Sequence, residues 1–174
     1  MDLASYNRLG QVFCAANASA KSVIAVTAAM TGLILYNPVG SNRYALIQDV
    51  GFVWTTAPGA VHNLGIALMA ASTAAPTALT AIGSGVLCAN GQGNRGASLM
   101  QAYDAATLPA APVAVRWFGG AVYGSGVGES PYRMIDMLEG GLMLVPGSAL
   151  ALTVVTTTAV GMGSVTWVEV PVNS

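Results

Sequence analysis

Glycine, proline and asparagine cut this chain into short apolar pieces, and that punctuation constrains its fold more than any other feature. The segment Ser22-Val23-Ile24-Ala25-Val26-Thr27 is followed by Gly32-Leu33-Ile34-Leu35-Tyr36, which stops at Asn37-Pro38-Val39-Gly40-Ser41. β-Branched and aliphatic residues suit a pleated, half-buried backbone, whereas Pro and Gly preset the dihedrals of a turn, so these pieces read as strands between turns. The run 44–54 comes next, with Leu46, Val50, Phe52 and Trp54 on one parity and Gln48 as the exception, which predicts a long half-buried strand. Further strands are expected at 63–70, 112–118, 134–138, 142–145, 149–156 and 164–170.

Two of these segments carry extra information. Residues 149–155 are almost continuously apolar, as expected for a strand covered on both faces, which points to a central sheet position or a subunit contact. In 164–170, Val165, Trp167 and Glu169 share one parity and Ser164, Thr166, Val168 and Val170 the other, a pattern that leaves the buried face open. Pro171, with no N–H to donate, is expected to end the pairing. Helix signals are weak: one short helix is expected within 97–107, where Leu99, Met100 and Tyr103 have helical spacing before Pro109. Residues 70–81, around Pro76, fit a loop, an edge strand or a helical turn.

Many short strands joined by Gly and Pro turns predict an all-β, jelly-roll-like two-sheet sandwich of about eight strands, because a sheet with one apolar face must pack against another. Residues 1–20 are expected to form an N-terminal arm and 21–174 a single sandwich domain. At 174 residues the chain can bury roughly 70% of its unfolded surface, so a core is available without disulfide staples. Cys14 and Cys88 are expected as partly buried thiols.

Charged residues make up only 7% of the chain, against roughly 25% in an average soluble domain. A surface so poor in charge favours self-association or burial against partners. The net charge of −1 and the scattering of Lys21, Arg8, Arg43, Arg95, Arg116 and Arg133 argue against nucleic acid as a partner. Residues 50–94 lack Asp, Glu, Lys and Arg, yet Pro58, His62, Asn63 and Pro76 interrupt them, so no helical membrane span of roughly 20 apolar residues is expected. The N-terminal residues show no secretory pattern.

Chemical motifs are sparse. Gly91-Gln92-Gly93-Asn94-Arg95-Gly96 has phosphate-cradle spelling but no acidic residue about 20 positions on, so a turning loop is expected. His62 is the single histidine and has no neighbouring carboxylate, which suits a strand end better than a general base. With two distant cysteines it makes a poor metal set, and no metal or other cofactor is expected. Gly83-Ser84-Gly85 and Gly124-Ser125-Gly126 lack the nucleophile-elbow pattern. Asp136 and Glu139, three apart on a strand, point to opposite faces and are expected to meet Arg133 or Arg116, or simply to solvate strand ends, rather than act together. A hydrolase would need Asp104, Glu129 and Asp136 gathered in one cleft. Asn17-Ala18-Ser19 fits the glycosylation pattern, but without a secretory signal the match is expected to be accidental. Trp54, Trp117 and Trp167 sit in apolar runs and are expected in packing rather than in a sugar platform, whereas Tyr123 and Tyr132 flank a Gly-rich loop suited to recognition. These readings predict a chain that is not an enzyme.

Three stretches carry a resemblance: Leu35-Tyr36-Asn37-Pro38-Val39-Gly40-Ser41, Val145-Pro146-Gly147-Ser148-Ala149-Leu150 and Thr166-Trp167-Val168-Glu169-Val170-Pro171-Val172. Each couples a strand to a Pro or Gly stop, and together they resemble β-rich virion proteins of tailed bacteriophages, especially small jelly-roll proteins that decorate or cement capsids, often as trimers. The resemblance implies a structural homo-oligomer of the virion, assembled in the host cytoplasm and bound to the major capsid protein. On that reading, self-contact is expected through the last two strands at Leu150, Leu152, Val154 and Trp167. The alternative is a receptor- or glycan-binding head of a phage fibre or spike, using the loop 119–128.

Overall fold

The computed structural model describes residues 3–56, 62–83, 86–88, 97–121, 133–156 and 158–172. A short helix, α1 (Leu3–Arg8), leads into β1 (Val12–Ala16), β2 (Lys21–Val23), β3 (Ala29–Tyr36), β4 (Arg43–Trp54), β5 (His62–Met69) and β6 (Thr77–Ala81). Then come β7 (Val86–Cys88), β8 (Gln101–Thr107), β9 (Val113–Ala121), β10 (Arg133–Leu144), β11 (Ala149–Val154) and β12 (Ala159–Pro171). They make two antiparallel sheets, one in the order β10-β4-β12-β1-β7 with β2 also on β12, the other in the order β6-β8-β3-β11-β5-β9.

Four pairings nest inside one another along the chain: β1 with β12, β3 with β11, β4 with β10, and β5 with β9. A long antiparallel hairpin rolled over itself has this signature, and its eight strands divide into the sheets β1-β12-β4-β10 and β3-β11-β5-β9. The fold is therefore a jelly-roll sandwich, as the turn-and-strand pattern predicts. β6, β7 and β8 widen both sheets on the flank away from β9 and β10, while β2 continues the line of β1 along β12.

Between the sheets lie Phe13, Leu33, Leu35, Ile47, Phe52, Trp54, Leu64, Ile66, Leu150, Leu152, Val165 and Trp167, all buried. Each such side chain contributes about 1.5–3 kcal/mol relative to exposure. The odd parity of Gln48 has a structural cause. Opposite β12 the register slips between Asp49 and Ile47, so Gln48 is an extra residue in a β-bulge. The inward row of β4 therefore changes from Ala45 and Ile47 to Val50, Phe52 and Trp54, and Leu46 faces outward, half-buried. In β12 the inward row is Val165, Trp167 and Glu169.

The two-faced burial of β11 arises within one chain. β11 lies between β3 and β5, and Ala149 and Ala151 on its outer face join Met30, Ile34, Tyr36, Met69 and Leu108 in a second apolar cluster. Strand β8 ends at Thr107 beside Ala29, but β9 starts at Val113 beside Leu68, at the other end of the sheet. Residues 108–112 must therefore cross the outside of the sheet obliquely. Residues 70–76 make a second crossing, from Met69 beside Ala149 to Thr77 beside Thr107. Pro76, Leu108 and Pro112 are buried along them, and the segments are tied down by Ser72 N–H to Gly147 O (3.1 Å) and Leu108 N–H to Ala28 O (2.8 Å).

Two expectations are corrected. Residues 101–107 form β8 rather than a helix, because pairing with β3 on one side and β6 on the other overrides a weak helical spacing. Residues 12–16, expected in an arm, are β1, which sits between β12 and β7 and places Phe13 and Ala15 in the core. Among the described residues the helix lies before it, at Leu3–Arg8.

Candidate interaction surface

Several buried polar side chains of the sandwich are held by one another and by backbone groups, whereas the buried Trp54 Nε1 has no hydrogen-bond partner among the described residues. Asn17, at the end of β1, is 6% exposed; its Nδ2 donates to Asp104 Oδ1 at 2.7 Å and Gly32 O at 3.3 Å, and its Oδ1 accepts Gly163 N–H at 2.8 Å. Lys21 Nζ closes the cluster at 2.9 Å from Asp104 Oδ2. These bonds tie β1, β2, β3, β8 and β12 together across both sheets, and they leave the Asn17 carboxamide no freedom to serve as a glycosylation acceptor. Glu169, 1% exposed, accepts from Ser98 Oγ, Leu99 N–H and Trp167 Nε1, which anchors the segment before β8 to β12. Asn37 donates to Arg43 O and Leu144 O and exchanges backbone bonds with 147–148, so the Asn37-Pro38 and Pro146-Gly147 turns are adjacent. Hydrogen-bonding partners of this kind satisfy polar groups and specify the packing.

The candidate surface lies on the flank where β9 and β10 close the two sheets. Among the described residues each pairs with one neighbour, β9 with β5 and β10 with β4. Arg116 is opposite inward-facing Ile66, and Asp136 shares the parity of inward-facing Leu138, so both reach into the gap between the sheets. Arg116 Nε lies 2.5 Å from Asp136 Oδ2, and a second guanidinium nitrogen lies 3.0 Å from Oδ1. The forked geometry clamps one sheet to the other. Asp136 thus meets Arg116, while Glu139 points outward and is exposed.

Around this clamp the surface is apolar. On β9, Val113, Val115 and Trp117 are exposed, and on β10 so are Ile135, Met137 and Met143, with Val113 at 68% and Met137 at 62%. Trp117 lies over Gly65, where an added Cβ would fall 2.5 Å from its Cε3. Trp117 stands on the outer face of one sheet and Ile135 and Met137 on the outer face of the other, so the flank exposes large apolar side chains on both faces, and such exposure marks contact surfaces.

Other expected site residues lie elsewhere. Leu150, Leu152, Val154 and Trp167 are 0–2% exposed inside the sandwich, so no side-chain surface remains there for a second subunit. Their apolar runs reflect the central place of β11 and β12. Trp54 and Trp167 are core residues, as expected, while Trp117 is on the surface. Asp104 on β8 and Asp136 on β10 occupy opposite flanks, and each has its own cation. His62 begins β5. Glu129, Tyr123, Tyr132, the Gly91–Gly96 motif and 122–128 of the proposed recognition loop lie outside the described residues. Cys14 is half-buried and opposite Leu87, on the strand that holds Cys88. Among the described residues no group of His, Cys, Asp and Glu is suited to hold a metal ion, and no helix is long and apolar enough to cross a membrane.

In the sequence the exposed row on β10 shows only as a shared parity of Arg133, Ile135, Met137 and Glu139, which does not by itself say which face is outward. No family model, curated protein or solved structure matches this chain.

Proposed function

We propose that this protein is a structural component of a virus particle that associates with itself and decorates or cements a phage capsid. The observation that carries the reading is the β9–β10 flank, where a jelly-roll sandwich with few charges presents Val113, Val115, Trp117, Ile135, Met137 and Met143 to solvent. Removing these side chains from water favours association, at about 25 cal/mol for each Å² of apolar surface covered. The clamped sheets beneath keep the surface preorganised, which lowers the entropic cost of docking. The phage capsid as the setting, and the trimer as the assembly, come from the resemblance of the Asn37-Pro38, Pro146-Gly147 and Trp167–Val172 stretches to decoration proteins.

Co-sedimentation tests the reading. Full-length protein is mixed with empty shells assembled from the major capsid protein of the same genome, and the bound fraction is measured as the protein is titrated. Saturable binding at a fixed ratio to shell subunits is expected. Protein left wholly in the supernatant would contradict it.

A further inference from the structure

We infer that β10 is a self-complementary edge through which two copies of this chain join their sheets about a two-fold axis at Asp136. The inference rests on the self-association proposed above but not on the trimer, whose three-fold symmetry contains no two-fold contact, and it names the surface and geometry of one contact.

A free sheet edge is a template for another strand, and proteins normally blunt it by shortness, bulges or charge. Among the described residues five strands have a single neighbour, and four of them are blunted: β2 spans three residues. β7 spans three residues, β6 slips register twice within five residues, and β9 slips twice against β5. β10 differs: Arg133 to Met137 pair with Val53 to Asp49 in unbroken register, and the first irregularity comes after Met137. Beyond it Glu139 and Gly140 take positive φ values of 49° and 82°, which ends the regular edge.

The outward row of this regular stretch reads Arg133, Ile135 and Met137, and Glu139 follows just past its end at a φ of 49°; all four are exposed. Arg133 and Ile135 line one groove on the outer face of the sheet, and Met137 and Glu139 line another, so all four share that face. An antiparallel partner centred on Asp136 pairs positions whose numbers mirror about it. Arg133 then meets Glu139 of the second copy, and Ile135 meets Met137, each contact occurring twice. The row is cationic at one end, anionic at the other and apolar between, which is the pattern an isologous contact requires. On the inner face, the two Asp136 carboxylates approach the axis with their own Arg116 guanidinium groups, a quartet of zero net charge.

Charge reversal tests the seam in the full chain. Sedimentation velocity over a concentration series is run on wild type, Arg133→Glu, Glu139→Lys and the double variant. Each single change places like charges together twice, so the dimer dissociation constant is expected to rise about ten-fold. The double variant restores both pairs and should return near the wild-type value. Far-UV circular dichroism establishes that each variant is folded, and amide exchange over 133–138 in the wild type should slow as concentration rises. An oligomer unmoved by either single reversal, or a double variant no better than the singles, overturns the seam and leaves the structural reading standing. A wild-type chain that stays monomeric also overturns it, and only if that chain in addition fails to bind shells does the structural reading fall with it.

Discussion

Replacing Asn17 by alanine probes the polar cluster that joins both sheets, and its cost follows from the bonds it breaks. Gly163 N–H, buried in β12, loses the 2.8 Å acceptor Oδ1, and an orphaned buried donor costs about 1–3 kcal/mol. Asp104 Oδ1 loses its 2.7 Å donor, a charge-assisted bond that contributes about 1.5–3 kcal/mol when intact. Asp104 keeps Lys21 on its other oxygen, so the second loss is expected near the low end. The sum is about 3 kcal/mol, which for a chain of this size lowers the melting temperature by roughly 6–12 °C. Denaturant unfolding of the wild type, Asn17→Ala, Asp104→Ala and the double variant gives both the cost and the coupling between the two side chains. The coupling should be about 1–2 kcal/mol, because each change removes a bond that the other also removes. Were Asn17→Ala to fall within about 0.5 kcal/mol of wild type, the range of an ordinary surface change, the cluster would not hold the sheets as described.

Other perturbations test the packing. Leu152→Ala removes a fully buried side chain between the sheets and should cost about 2–5 kcal/mol in denaturant unfolding, whereas a cost under about 1 kcal/mol would contradict its placement in the core. Gly147→Ala introduces a Cβ 2.4 Å from Ser72 O at a residue with φ of 86°, so the crossing segment 70–76 must lift; thermal unfolding should come several degrees lower, and unchanged melting would refute the contact. Burial and, to a lesser extent, the neighbouring Tyr36 push the Tyr103 phenol above its ordinary value near 10. The folded state therefore holds this proton more tightly than the unfolded chain, so the contribution is full below pH 10 and is lost as pH rises through the folded value. Unfolding midpoints should fall above pH 10 less steeply in Tyr103→Phe than in wild type, and identical slopes would contradict the assignment.

Period-two alternation and turn chemistry made most of the β-structure legible in the sequence, because both are local. Val165, Trp167 and Glu169 could be grouped on one face, yet their burial depended on partners far away in the chain. The almost continuously apolar β11 is compatible with a subunit contact on sequence alone, whereas in the structure 70–76 and 108–112 cross its outer face. Residues 97–107 misled for a related reason: alanine and methionine fit either a helix or a strand, and the choice was made by pairing with β3. The exposed flank was the least legible part. In β10 the inward row Met134, Asp136, Leu138 and the outward row Arg133, Ile135, Met137, Glu139 each mix apolar and charged residues, so hydropathy alone cannot assign the faces. What distinguishes them is the Arg116–Asp136 clamp, which draws a carboxylate inward, and the position of β10 at the sheet edge.

The claim that this sandwich is built to associate with itself is tested most directly by the mass of the full chain in solution, measured by light scattering at increasing concentration. A mass rising to a stable multiple of 17.5 kDa is the predicted result. A mass that stays at 17.5 kDa up to the highest soluble concentration would contradict it.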